Sequence, residues 1–225
     1  MLNSSKILNA IRQISDKKAQ EVFDYILYTY IPETNRTVIE EVVSLLERFD
    51  YMLIGGWAVS FYSEGKRKPT EDDIDIRVRA EDIKRLEKVF TERGFRVCRH
   101  AFDPASRSKW LMLEKEGQKV DVGYAEKPWE IEALSDKVHV FYHGRLGISL
   151  KVSSPEYMIV SKLHAGRDKD FFDLLFLIKS PYMQVDRAKA LVKKHLTSLD
   201  LEDFKSMLLY AGGLSEEEVR RLYNI

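Results

Sequence analysis

The chain has 225 residues, with 36 Lys and Arg balanced by 36 Asp and Glu, so its formal net charge is zero. That balance excludes a uniformly basic nucleic-acid coat protein and leaves room only for a local basic groove. An apolar share of 44% and an aromatic share of 11% suffice for a buried core, which excludes wholesale disorder. The single cysteine, Cys98, cannot form an internal disulfide or a zinc cluster and reads as a small buried hydrophobe. No uncharged apolar run approaches the roughly 20 residues that cross a bilayer. The first residues, MLNSSKILNAIRQISDKK, lack an apolar export segment and its cleavage site. The expectation is a cytoplasmic protein with no membrane partner.

In chain order, Ile7, Leu8, Ile11, Ile14, Val22, Phe23, Ile26 and Leu27 recur at helical spacing over residues 5–30. Pro32 ends that helix, and Val38, Val42, Val43, Leu45 and Leu46 define a second one up to Phe49. Tyr51–Ile54 is a short apolar strand stopped by Gly55-Gly56, and Trp57–Tyr62 reads as helix. Asp73–Val78 alternates polar and apolar residues, the period of a half-buried strand. A helix over Ala80–Arg93 closes at Gly94, and a strand follows over Phe95–His100. Lys109–Leu113 and Gln118–Tyr124 flank Glu116-Gly117 as a hairpin, and Lys137–Tyr142 and Gly147–Val152 pair around His143-Gly144. From Ser154 the pattern is helical again, with breaks at Pro181 and Gly212-Gly213. The reading is an α+β protein: an N-terminal helical segment (1–49), a mixed α/β core (50–152) and a C-terminal helical region (153–225).

Chemistry concentrates in Leu53–Val78. On an extended strand Asp73 and Asp75 point the same way, their Cα atoms about 6.6–7 Å apart, while Ile74 and Ile76 point into a core. Paired carboxylates at a strand end suit hard cations such as Mg²⁺ or Mn²⁺, and two such ions can clamp the attacking and leaving oxygens of a phosphoryl displacement. Asp121, in the alternating run Lys119-Val120-Asp121-Val122, supplies a third acid of the right type. Gly55 and Gly56 allow backbone N–H groups to approach phosphate oxygens ahead of a helix N-terminus. Lys66-Arg67-Lys68 reads either as a solvated loop or as a basic segment that steers a triphosphate or an RNA acceptor.

Further along, Lys162, Gly166, Asp170 and Asp173 share one stripe if a single helix runs from Ser154 through Asp173. Gly166 would then leave room for a ligand over the lysine; the plainer alternative is a buried Lys–Asp pair that serves structure alone. His139, His143 and His164 read as structural or inert, and Trp57, Trp110 and Trp129 as packing residues.

Gly55-Gly56, Asp73-Ile74-Asp75-Ile76 and Val120-Asp121-Val122 together resemble the nucleotidyltransferase superfamily named for DNA polymerase β. Ser154-Pro155-Glu156, Lys162-Leu163-x-Ala165 and Arg167-Asp168-Lys169-Asp170-x-x-Asp173 are similar to the segment after the catalytic core of AbiEii/AbiGii-type minimal nucleotidyltransferases. The resemblance covers roughly residues 50–180. It departs from the family pattern in a longer loop between Gly56 and Asp73 and in the position of Thr70, which leaves open whether Thr70, Asp72 or neither assists the site.

The resemblance implies a mixed, mostly antiparallel sheet and transfer of a nucleoside monophosphate from an NTP to an acceptor hydroxyl, with pyrophosphate released. Asp73, Asp75 and Asp121 would hold the metal, Asp121 also serving as or supporting the base. Gly55, Gly56, Lys68, Thr70, Lys162 and Asp170 would serve the nucleotide, and Lys162 would neutralise charge on the transferred group or pyrophosphate. The AbiEii likeness further implies a toxin-type role with RNA or tRNA as acceptor and a cognate antitoxin partner. The alternative is a non-catalytic nucleotide- or partner-binding module of the same fold. An aspartate-nucleophile phosphatase fits badly, because Gly-Gly precedes the Asp-x-Asp strand.

Overall fold

Two amphipathic helices, α1 (Asp16–Tyr30) and α2 (Glu33–Leu46), open the computed structural model, which describes residues 15–69, 73–99, 110–136 and 138–213. Ser15 caps α1 by accepting the Lys18 N–H at 3.3 Å, and Pro32 stands at the start of α2. Their apolar stripes, Val22, Phe23, Ile26 and Leu27 on one and Val38, Ile39, Val42 and Leu46 on the other, are buried.

The middle of the chain builds β1 (Tyr51–Leu53), α3 (Gly55–Tyr62), β2 (Asp73–Val78), a 3₁₀ turn (Ala80–Asp82) and α4 (Ile83–Thr91). It continues through β3 (Arg96–Arg99), β4 (Trp110–Lys115), β5 (Gln118–Tyr124), α5 (Pro128–Asp136), β6 (Val138–His143) and β7 (Ile148–Ser153). Helices α6 (Pro155–Ala165), α7 (Asp168–Ile178), α8 (Val185–His195) and α9 (Ser198–Gly213) follow.

The seven strands form one sheet in the order β3-β4-β5-β2-β1-β7-β6. Four neighbouring pairs are antiparallel, and β2/β5 and β1/β7 are parallel, so the sheet is mixed and mostly antiparallel, as expected. The parallel β2/β5 pair matters most, because it sets Asp75 opposite Asp121. Among the described residues no helix is long and apolar enough to cross a membrane.

Several expectations shift. The helix after β1 begins at Gly55 rather than Trp57, which places both glycines in its first turn. The helix expected over Ala80–Arg93 is a 3₁₀ turn followed by α4. The single helix expected from Ser154 through Asp173 is two helices: Gly166 takes a left-handed conformation (φ 59°) that closes α6, and Arg167 opens α7. Cys98 is exposed, because β3 is an edge strand with little packed over it. Gly212 and Gly213 lie within the last turn of α9 rather than breaking it. The expected helical start over residues 5–14, His100 and Lys109 lie outside the described residues.

Candidate active site

Strand β2 alternates as its sequence dictates. Ile74, Ile76 and Val78 are buried in the core, while Asp73, Asp75 and Arg77 are half-buried on the opposite face. Register then decides which residues share that face. Asp75 lies opposite Asp121 on β5 and Asp121 opposite Met112 on β4; one layer on, Arg77, Gly123 and Trp110 form the next row. A carboxylate oxygen from each of Asp73, Asp75 and Asp121 can be chosen so that all three lie within 4.8 Å of one another, a spacing that suits one hard cation.

Gly55 sits against this group. It has φ +60°, and a Cβ there would overlap the Asp75 carboxylate, lying 2.7 Å from Cγ. Glycine therefore answers two needs, the left-handed backbone and the close approach of β1 to the acid. The Ile54 N–H also donates to the Asp75 carbonyl at 3.0 Å, which holds the turn in register with β2.

The wall beyond the glycines is a chain of alternating charges. Lys162 Nζ donates to Asp170 at 2.9 Å and to Asp173, and Asp173 accepts from Arg67 Nε at 3.0 Å. Arg167 contacts Asp170 through Nε at 2.7 Å. Lys162, Asp170, Asp173 and Arg67 are all buried. The expected convergence of Lys162 with the two acids therefore occurs, but across the α6–α7 corner rather than down one helix, and Gly166 makes the corner instead of a ligand gap. Burial raises the Asp170 pKa, but hydrogen bonds from Arg167 and Lys162 outweigh it, so the net value lies below the usual carboxylate range.

Arg67 breaks with the solvated-loop reading. Its backbone N–H donates to Ser63 Oγ at 3.0 Å, its carbonyl accepts from Ser60 Oγ at 2.6 Å, and its Nη1 donates to the Lys68 carbonyl at 2.9 Å. A Cβ on Gly56 would stand 2.7 Å from Arg67 Nη1, so the guanidinium lies directly against the first turn of α3. Lys68 is exposed beside it. Thr70 and Asp72 lie outside the described residues.

These elements enclose a cleft of about 670 Å³ that holds the acid trio, both glycines and Lys162. Its opposite wall carries Arg77, whose guanidinium stacks 4.2 Å from the Trp110 ring and pairs with Glu130 at 3.0 Å. Trp57 and Trp129 are buried, as the packing reading expected, though each also lines the cleft. His164, expected to be inert, stacks edge-on against Trp129 at 4.7 Å and lines the cleft as well. His143 is fully buried and contacts Asp24 at 3.1 Å, in keeping with a structural role. Nothing in the sequence singled out Arg77 or Glu130. The available signal was the position of Arg77, two residues past Asp75 on the same face.

The family model described as aminoglycoside-2''-adenylyltransferase matches residues 38–174. No curated protein sequence matches the chain. Among solved structures, the antibiotic-resistance factor ANT(2'')-Ia is similar at 18% identity and a TM-score of 0.45, over 78% of this chain and 92% of that one. The lincosamide antibiotic adenylyltransferase LnuA, bound to lincomycin, is similar at 18% identity and a TM-score of 0.46, over 67% and 98%. An antigenic nucleotidyltransferase-like protein from Paracoccidioides brasiliensis is similar at 20% identity and a TM-score of 0.45, over 76% and 90%.

Proposed function

The chain belongs to the aminoglycoside-2''-adenylyltransferase family, and from that membership and the geometry of the cleft we propose that it moves the adenylyl group of ATP to a hydroxyl of a small polyhydroxylated acceptor, with release of pyrophosphate. Membership makes it a nucleotidyltransferase that uses a hydroxyl acceptor. ATP as donor and a sugar-like antibiotic as acceptor class are the finer part of the proposal. The observation that carries it is the meeting of Asp73, Asp75 and Asp121 within 4.8 Å beside the Gly55-Gly56 turn.

The three acids offer only hard oxygen donors, half-buried and converging, which fits a divalent cation such as Mg²⁺ or Mn²⁺. A cation held by them would supply Lewis-acid charge neutralisation at the reacting phosphoryl group. The protein's own residues do the rest. The first turn of α3 presents backbone N–H groups to phosphate oxygens, and Arg67 lies behind it. An ammonium has three N–H donors; those of Lys162 toward Asp170 and Asp173 fix its position, and the remaining one is available to the departing pyrophosphate. Asp121 lies on the side of the trio away from the glycines, where it can take the proton from the acceptor hydroxyl.

The RNA or tRNA acceptor and the antitoxin implied by the AbiEii likeness gain no support from the family match, which describes a small-molecule enzyme. The test uses ATP labelled at the α-phosphate, Mg²⁺, a panel of aminoglycosides and lincosamides, and total RNA in parallel. The expected result is label on a small molecule with stoichiometric pyrophosphate. Label on RNA alone would overturn the acceptor class, and absence of both products would overturn the proposal.

A further inference from the structure

Helix α1 ends against the loop that carries Arg67 into the cleft. The family match begins at residue 38, so α1 lies before it, while every residue given a role in the cleft lies after that point. Beyond α3 the chain turns back on itself at Glu64 and Gly65, both left-handed, with φ 54° and 76°. The Gly65 N–H donates to the Ser60 carbonyl at 2.8 Å, and the Gly65 carbonyl accepts from the Tyr30 hydroxyl at 2.8 Å. Tyr25 on the same helix packs on the turn from outside: a Cβ on Gly65 would overlap its ring, which stands edge-on to Tyr30 at 5.8 Å. Glu64 is gripped as well, by the Tyr182 hydroxyl and by Lys18 at 3.6 Å. A left-handed Glu is disfavoured by its own Cβ, so this turn persists because contacts around it over-determine it.

Two residues past the turn, Arg67 returns to α3. Its backbone is tied to Ser60 and Ser63, and its side chain bears on two parts of the nucleotide side. Nη1 lies against Gly56 in the first turn of α3, and Nε holds Asp173, the acid that also positions Lys162. The seat of Arg67 therefore depends on a turn whose buried carbonyl takes a donor from α1. Helix α1 does not rely on that bond to stay docked. Its Asp24 contacts His143 at 3.1 Å and Arg145 at 3.0 Å, and its Gln20 accepts the Gly144 N–H at 3.0 Å.

Resting on the adenylyl-transfer reading, we infer that Tyr30 is a positioning residue for the triphosphate end of the cleft. Through the Gly65 carbonyl it fixes the turn that seats Arg67 behind Gly55-Gly56 and beside the Asp173–Lys162 pair. Without the hydroxyl, Glu64 and Gly65 are free to relax toward ordinary φ values, and Arg67 moves with them.

The test is calorimetric titration of the full chain with Mg²⁺ and α,β-methylene-ATP. The variants are Tyr30→Phe, Asp24→Asn, Arg67→Lys and the double change Tyr30→Phe with Arg67→Lys. Tyr30→Phe should weaken binding of the analogue about three- to tenfold, the equilibrium worth of one hydrogen bond. Asp24→Asn loosens α1 elsewhere, so it should lower the melting temperature and leave the affinity unchanged. In the Arg67→Lys background, Tyr30→Phe should add less than about twofold, because the group it positions is already altered. Should Arg67→Lys fold poorly, hydrogen exchange of the Arg67 Nε–H in Tyr30→Phe decides instead: faster exchange than in the wild type is expected, and an unchanged rate overturns the inference. Unchanged affinity in folded Tyr30→Phe, equal weakening by Asp24→Asn, or full additivity with Arg67→Lys also overturns it. Failure of the underlying reading shows separately, as Mg²⁺-dependent binding of the analogue that Asp75→Asn leaves intact; no binding by the wild type overturns both.

Discussion

The cleft is bounded by two groups of acids that differ in kind. Asp73, Asp75 and Asp121 come from two parallel strands, are half-buried, and crowd three like charges within 4.8 Å. Asp170 and Asp173 come from one helix, are almost fully buried, and alternate with Lys162, Arg67 and Arg167. The first group offers converging hard oxygen donors at a spacing that suits a cation. The second already has its cations, at the usual desolvation cost of a buried ionic network. Acids of one type thus stand in opposite settings, and the difference lies in what the fold places beside them.

The sharpest way to break the comparison is to neutralise one member of each group. Asp75→Asn should abolish adenylyl transfer, by at least about 10²–10³-fold, with the melting temperature unchanged or higher as repulsion in the trio is relieved. Near-normal transfer by that variant, measured as pyrophosphate release, would remove Asp75 from the metal site. Lys162→Met should do the reverse to stability. It leaves Asp170 and Asp173 buried without their shared cation, which should cost about 3–5 kcal/mol and lower the melting temperature on the order of 10 °C. Calorimetry showing no loss would mean that the ion chain is not structural.

A smaller effect follows from pH. Hydrogen bonding from Lys194, opposed by burial and helped by Tyr157 and His195, brings Glu132 down from the ordinary 4.5 to about 2. A carboxylate with a depressed folded value contributes stability that is present above its unfolded pKa and lost as the pH falls through the folded one. Stability due to Glu132 should therefore drain away between about pH 4.5 and 2, and Asp170 adds loss of the same sign. Denaturant unfolding across that window should be less pH-dependent in Glu132→Gln; an identical slope in variant and wild type would remove this contact from the acid response.

The smallest change expected is at Lys68, which is exposed. Lys68→Ala should raise the Michaelis constant for ATP about twofold at low salt and leave it unaltered at high salt, since exposed charges are screened within about 8–10 Å. An effect that persists at high salt would give Lys68 a direct contact.

How far the sequence could be read varies along the chain. The β2 strand was fully legible because alternation is a local property, and Asp73 and Asp75 stand where period two puts them. Lys162, Asp170 and Asp173 do meet, but not along one helix: helical spacing groups them in the sequence, whereas a left-handed Gly166 turns the chain and the two helices then bring them back together. A run of three basic residues leaves open whether Lys66-Arg67-Lys68 is a solvated loop or a steering segment, and only the packing of α7 against α3 buries its middle member, Arg67. Cys98 was misread for the converse reason, as burial of a β3 residue depends on whether a neighbouring strand or helix covers it.

By itself the sequence determined most element types and the acid pair on one strand face, since these follow from backbone periodicity. Tertiary structure alone decided that β2 and β5 run parallel, that Asp121 therefore meets Asp75, and that Arg77 lies over Gly123 onto Trp110. Register between strands distant in the chain depends on how whole faces pack, and no local pattern carries that information.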